Sequence, residues 1–517
     1  MRTNIRTACF VCVLLLVPAA GREFQHELLA AGASCESLSG LQLANAHVTS
    51  AAVVPAGTFV PPGGAGRGPA AQQYASLPSF CRVAITSNPV SDSDIKIEVW
   101  LPVSGWNGKF QGTGNGGWGG SITYPALAAT VTQGYAGASS DVGHSSAGGD
   151  FAMNHPEKLR DYAYRGAHEM TVQAKAVINA FYGMPQKASI FSGCSTGGRM
   201  GVVEASKFPE DYDALVTGAN SLGFPRIHGA RVQLNRMFHR SADSYIPPEK
   251  YPAIHEAALQ ACDALDGVKD GVIDSPTRCK FDPGVLACKG ADGPGCLTPA
   301  QVETVKMAYG PVKDLKTGKE IFFQLFQPGT ELNWATLAGP DAFGISVDAF
   351  RYIAFNDPKW EPTNFDATAD TDLLERKSKE VGFEPPSPDL RAFFKRGGKL
   401  LMYHGWNDYQ MSPLNSVNFY DAALKIAGQG VAGKSIALYM IPGMGHCQGG
   451  PGTDTFDKVG ALEQFVSTGK APAQIIASHL SSGKVDRTRP LCPYPQVAKY
   501  KGTGSTDEAA NFSCANP

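Results

Sequence analysis

Apolar and polar positions along the chain change period several times, and each change predicts an element. Ile95-Lys-Ile-Glu-Val-Trp-Leu101 alternates with period two, as a half-buried strand does, and Gly108-Lys-Phe-Gln111 runs straight into a glycine-dense loop at 112–120. Residues 162–181 carry helical spacing. Ala188-Ser-Ile-Phe-Ser192 reads as a short buried strand, followed by a tight turn and a helix over about 198–208. Two compact apolar runs come late, Lys399-Leu-Leu-Met-Tyr403 and Ile436-Ala-Leu-Tyr-Met-Ile441. Strands alternating with helices favour a mainly parallel sheet, so the fold class is α/β. Between about 224 and 394 the pattern breaks into polar helices, prolines, four cysteines and acidic loops. This stretch is read as a large lid inserted into the core. The expected organisation is 1–20 a leader, 21–223 the first part of the core, 224–394 the lid, and 395–517 the rest of the core with its tail. Residues 54–71, rich in Pro, Gly and Ala, read as an irregular surface excursion, and 487–517 as a Pro/Gly-rich tail.

The first residues carry a different signal. Arg2 and Arg6 precede an apolar run from Ala8 to Val17 and the small residues Ala19, Ala20 and Gly21, the pattern of a secretory signal cleaved near Ala20. The run is too short to span a bilayer, so the chain is expected to be secreted or periplasmic, without a membrane span. At 517 residues, 43% hydrophobic and 18% charged, the chain suits a core plus an insertion. A net charge of −2 gives no footprint for nucleic acid. Outside the leader stand Cys35, Cys81, Cys194, Cys262, Cys279, Cys288, Cys296, Cys447, Cys492 and Cys514. An even number in an exported chain suggests five disulfides, and no CxxC spacing points to zinc or redox chemistry.

Gly193-Cys-Ser-Thr-Gly197 matches the G-x-S-x-G nucleophile elbow, in which small flanking residues permit the turn that projects Ser195 from the sheet edge. A serine hydroxyl needs a base to take its proton and an acid to orient that base. His446 and Asp408 stand just past the two late strands, and the order Ser, Asp, His is that of α/β-hydrolases. Ester hydrolysis passes through an oxyanion that needs preorganised N–H donors. Thr196 is expected to give one and Gly117 the other, with Gly116 next in line. If Ser195 and His446 meet, their neighbours Cys194 and Cys447 fall within disulfide range; a bridge between Cys492 and Cys514 would staple the tail. In Asp263-Ala-Leu-Asp-Gly-Val-Lys-Asp-Gly-Val-Ile-Asp274 the carboxylates of Asp263, Asp266 and Asp270, with the carbonyls of Val268 and Val272, could ring a hard Ca²⁺ ion. The spacing is not that of an EF-hand, and a solvated acidic turn is the plain alternative.

These residues together resemble the tannase and feruloyl esterase family, which includes mono(2-hydroxyethyl) terephthalate hydrolase. The resemblance rests on Cys194-Ser195, Asp408 and His446-Cys447, and on Asn107-Gly-Lys-Phe110, Cys262-Asp-Ala-Leu-Asp-Gly267, Pro442-Gly-Met-Gly-His-Cys-Gln-Gly-Gly-Pro451 and Arg489-Pro-Leu-Cys-Pro-Tyr-Pro495. It implies an α/β-hydrolase core with a lid holding structural calcium. It also implies the pairs Cys35–Cys81, Cys194–Cys447, Cys262–Cys279, Cys288–Cys296 and Cys492–Cys514. Thr196 stands where the terephthalate enzyme has Glu, and the lid arginine that binds its substrate carboxylate has no secure match; Arg351 is nearest in sequence order. The expected activity is therefore hydrolysis of feruloyl or other hydroxycinnamoyl esters, small or polysaccharide-linked, through an acyl-enzyme. Galloyl esters and the terephthalate monoester are the alternatives within the class, and a catalytically silent binding protein of the same fold is the alternative outside it.

Overall fold

A computed structural model describes residues 32–64 and 69–517; the leader expected over 1–20 lies outside the described residues. One nine-stranded sheet organises the molecule. Its strands are β1 (Ala46–Val54), β2 (Phe80–Ser87), β3 (Ile95–Pro102), β4 (Lys109–Thr113), β5 (Ala136–Ser140), β6 (Ala188–Cys194), β7 (Ala214–Gly218), β8 (Lys399–Gly405) and β9 (Ile436–Ile441). They lie in the order β1-β2-β3-β5-β4-β6-β7-β8-β9. The first three pair antiparallel, and β3 meets β5 antiparallel, whereas β5, β4, β6, β7, β8 and β9 run parallel. The compact apolar runs at 399–403 and 436–441 fit parallel strands covered on both faces. The alternation at 95–101 predicts a half-buried strand, but β3 is covered on both faces: Glu98 and Trp100 are buried and hydrogen-bonded to each other, and only Lys96 is exposed.

The two faces are visible residue by residue. Leu400 and Met402 of β8 join one hydrophobic core, and Leu401 and Tyr403 join another on the opposite face. Helices cover both: α1 (Gly166–Tyr182) and α2 (Thr196–Lys207) contribute Met170, Ala174, Met200 and Val202 to the first core. The helix Lys458–Thr468 contributes Leu462 and Phe465 to the second.

After Gly218 the chain leaves the sheet and returns only at Lys399. Between them lie helices, including α3 (Phe224–Phe238), and one two-stranded hairpin, Val312–Lys313 with Glu320–Phe322. This segment has a core of its own in which Ile227, Leu234, Phe238, Ile254, Val305 and Trp334 are buried together. Two stretches are more regular than their composition suggests. β1 already includes Val54, the first residue of the supposed excursion, and the tail forms strands at Lys484–Leu491, Val497–Tyr500 and Phe512–Ala515. Pro and Gly there sit mainly at the turns, where they leave the ladder hydrogen bonds intact. No helix among the described residues is long and apolar enough to cross a membrane.

Candidate active site

Because β6, β7, β8 and β9 are adjacent and parallel, the loops after them open along one edge of the sheet. That edge, at the carboxyl ends of the strands, is where open α/β sheets place their ligands. Ser195 follows β6 directly and precedes α2, with φ +62° and ψ −121°. This is a strained conformation for a residue with a side chain, and such strain concentrates at functional sites. The flanking glycines make the turn possible: a Cβ on Gly193 would lie 2.5 Å from the carbonyl oxygen of Gly197, and one on Gly197 would lie 2.9 Å from that of Asn115.

His446 Nε2 lies 2.9 Å from Ser195 Oγ, and His446 Nδ1 lies 2.7 Å from Asp408 Oδ2. The loops carrying the base and the acid are tied together by their backbones. Trp406 N–H donates to the Ile441 carbonyl at 2.8 Å and Asn407 N–H to that of Met444 at 3.0 Å. Gly405 allows this approach, since a Cβ there would come 2.1 Å from the Met444 oxygen. Cys194 and Cys447 are bonded, with Cα atoms 6.0 Å apart, so the elbow and the histidine loop are covalently joined. All five expected disulfides are formed in the pairs the resemblance implied.

Asp408 is fully buried. Burial alone would raise its pKa, but the His446 charge and hydrogen bonds from His404 and His446 outweigh it and hold the carboxyl below the ordinary carboxylate range. Its Oδ1 accepts from the N–H groups of Gln410 and Met411 at 2.9 and 2.8 Å. His404, on β8 and equally buried, is a member of this network that the sequence reading missed. Its Nε2 faces both Asp408 Oδ2 (3.1 Å) and the Met411 carbonyl (3.2 Å), so that nitrogen carries the hydrogen, and Nδ1 accepts from Ser416 Oγ at 2.8 Å. Its position four residues before Asp408 was the one available signal.

Gly117 and Thr196 meet at the mouth of the elbow. Thr196 Oγ1 and the Tyr162 hydroxyl both donate to the Gly117 carbonyl, at 2.7 and 2.9 Å, which fixes that peptide. Neither the Gly117 nor the Thr196 N–H donates to another group among the described residues. Both residues, and Gly116, border a cavity of about 390 Å³ that also contains Ser195 and His446. Its opposite wall comes from the segment between β7 and β8: Phe224, His228 and Arg231 of α3, with Phe343 and Ile345. Arg231 Nε and Nη2 donate to the Gln410 carbonyl at 3.0 and 2.6 Å, and its guanidinium lies 5.0 Å from the centre of the Phe343 ring. Burial lowers its pKa to about 10, against the opposing pull of Asp408. His228 is held neutral by burial and by Arg231, and its Nδ1 pairs with Ser346 Oγ at 2.9 Å. Arg351, by contrast, donates to the Trp360 carbonyl and to Glu361 and borders a separate open cleft of about 780 Å³.

None of the residues 263–274 of the acidic loop lines this cavity, although Val272 packs against Gly443 of the histidine loop. Asp263 accepts from the N–H groups of Asp270 and Gly271, Asp266 from that of Val268, and Asp270 is paired with Arg489. Asp274, which the sequence reading did not include as a ligand, is buried with Oδ2 unpartnered; burial first, then Asp266, pushes its pKa up to about 7.

A nucleophile elbow, a hydrogen-bonded Ser–His–Asp set and a mainly parallel sheet define the α/β-hydrolase class of esterases. Within that class the chain belongs to the tannase and feruloyl esterase family, whose model "Tannase and feruloyl esterase" matches residues 81–515. It is a carboxylic ester hydrolase. An uncharacterised esterase of Xanthomonas campestris pv. campestris is 35% identical, with 100% of this chain and 95% of that protein covered. The Aspergillus terreus protein named "Probable feruloyl esterase B-2" is 32% identical over 92% of this chain and 94% of its own. Among solved structures, feruloyl esterase B from Aspergillus oryzae superposes with a TM-score of 0.85 at 29% identity, covering 93% of this chain and 99% of that one. Tannin acyl hydrolase from Aspergillus niger shares the fold, with a TM-score of 0.74 at 21% identity and 92% of each chain covered.

Proposed function

We propose that the protein hydrolyses hydroxycinnamoyl esters, with feruloyl esters as the preferred class, through an acyl-enzyme on Ser195. The continuous contact from Asp408 through His446 to Ser195, opening into a cavity of about 390 Å³, carries this reading. Ser195 Oγ attacks the ester carbonyl while His446 takes its proton; Asp408 orients and stabilises the imidazolium; the Thr196 and Gly117 N–H groups receive the oxyanion. His446 then returns the proton to the leaving alcohol, and water, activated by the same histidine, releases the acid. On this reading residues 224–394 act as a lid, since Phe224, Phe343 and Ile345 offer apolar contact to an aromatic acyl group while Arg231 and neutral His228 face its ring oxygens. Five disulfides favour an oxidising compartment, which supports a secreted or periplasmic protein.

The test is steady-state hydrolysis of methyl ferulate, methyl gallate and the terephthalate monoester by the wild type and Ser195→Ala. A preference for ferulate, with kcat reduced on the order of 10⁴-fold or more in the variant, is expected. A preference for gallate would make the protein a tannase, a preference for the terephthalate monoester would move it to that substrate, and undiminished turnover by Ser195→Ala would remove the mechanism.

The same reading includes a structural Ca²⁺ ion at the acidic loop. The donor set suits a hard cation: carboxylates of Asp263, Asp266 and Asp270 with the carbonyls of Val268 and Val272. Asp274, buried near Asp266 with one oxygen unpartnered, calls for positive charge and supports this reading. A bound ion would supply that charge and brace the loop, with no part in the ester chemistry.

A further inference from the structure

Behind the sheet edge, at the far end of α2 from Ser195, a second group of ligating side chains stands apart from the reaction. His168 on α1, Glu204 on α2 and Asp211 in the turn before β7 bring one imidazole nitrogen and two carboxylate oxygens within 4.8 Å of one another. Glu204 is 1% exposed and neither of its oxygens has a hydrogen-bond partner. Burying a carboxylate so completely without a partner is strongly unfavourable, so something must neutralise it. The Lys175 ammonium acts on Glu204 by its charge, but it donates to the Asp211 backbone carbonyl and makes no hydrogen bond to Glu204.

We propose that His168, Glu204 and Asp211 form a metal site for a borderline divalent cation of the zinc class. One imidazole and two carboxylates are too few and too mixed a set for Ca²⁺, which takes six to eight oxygens, but they match a three-ligand zinc site with a fourth position left to water. The side chains of His168 and Asp211 are 30% and 12% exposed, which gives that fourth position its access to solvent. His168 is already oriented, its ring stacked on Phe208 at 3.9 Å and 12°. Its Nδ1 lies 2.6 Å from Asp211 Oδ2. A tetrahedral ion about 2.0–2.1 Å from each would need these atoms only about 3.3 Å apart, so a small shift admits it. The ion would clamp α1 to α2 behind the nucleophile elbow. The competing occupant is a proton shared between Glu204 and Asp211, in keeping with the way burial and the Asp211 charge raise the Glu204 carboxyl well above its ordinary range.

Purified full-length protein, stripped of metal and held in saturating Ca²⁺ to keep the acidic loop loaded, is titrated with Zn²⁺ by equilibrium dialysis. Zinc-edge anomalous diffraction from soaked crystals locates any bound ion. The expected result is one tightly bound Zn²⁺ per chain, an anomalous peak between the three side chains, and binding weakened at least about tenfold in His168→Ala and in the near-isosteric Glu204→Gln. A control, His155→Ala, breaks the exposed His155–Asp92 pair and should keep the bound zinc. No anomalous peak at the cluster, or zinc binding that Glu204→Gln leaves unchanged, would overturn the proposal and leave the shared proton as the occupant.

Discussion

At the residue scale, the least expected member of the site is His404. It donates to the same Asp408 oxygen that His446 uses, inside the core, where an unpaired acceptor is costly. Replacing His404 with Ala should cost about 2–4 kcal/mol of stability, from the lost hydrogen bonds and the cavity. It should also lower kcat by up to about 10²-fold by loosening the carboxylate; denaturant unfolding and steady-state kinetics measure both. Asp408 also makes a prediction in pH. Its folded pKa is depressed, so ionised Asp408 contributes stability above the unfolded carboxylate value of about 3.9, and that contribution fades as pH falls through the folded value. The stability gap between wild type and Asp408→Asn, followed by chemical unfolding, should therefore be wide and level at neutral pH and begin to narrow only below about pH 4, shrinking progressively as pH falls further. A constant gap across that range would deny the depressed pKa.

At the scale of elements, three parallel strands deliver the serine, the acid and the base to one edge, and the Cys194–Cys447 bond locks two of the three loops together. That bridge joins residues 253 apart, whereas Cys288–Cys296 spans only 8. Loop-closure entropy alone gives upper figures of about 5.5 and about 2.5 kcal/mol for the two. Removing the first pair by double Cys→Ala substitution should lower both stability and kcat, while removing the second should cost less stability and leave kcat near the wild type. Thermal melting and turnover of the two double variants, side by side, decide between this and a purely passive bridge. Most of these elements were legible in the sequence because hydrophobic period reports the element: the alternation at 95–101 and the runs at 399–403 and 436–441 all became strands, although the first is buried on both faces rather than one. The Cys492–Cys514 staple of the tail was legible, but its strands were not, because prolines and glycines at the turns between them mask the short alternating runs.

At the scale of the whole molecule, the segment between β7 and β8 carries its own core and also the far wall of the cavity. Specificity should therefore change through that wall while the triad stays intact. Replacing Arg231 with Met should raise KM for ferulate roughly tenfold with a smaller effect on kcat, and should shift the ferulate-to-gallate ratio. Equal kinetics on both esters would place substrate recognition elsewhere. On the proposal that the acidic loop holds Ca²⁺, a chelator should lower the melting temperature without changing kcat at a temperature where the protein remains folded; equal melting with and without chelator would remove the site.

The sequence by itself determined the α/β class, the elbow and the three positions that meet as Ser195, Asp408 and His446. Those features are encoded in local period and in short motifs whose chemistry depends on neighbours along the chain. Tertiary structure alone decided which side chains approach from far along the chain. It put Arg231 rather than Arg351 at the cavity, drew His404 into the acid's hydrogen-bond network, and brought His168, Glu204 and Asp211 together. No periodicity marks such meetings, because they follow from how sheet, helices and inserted segment pack.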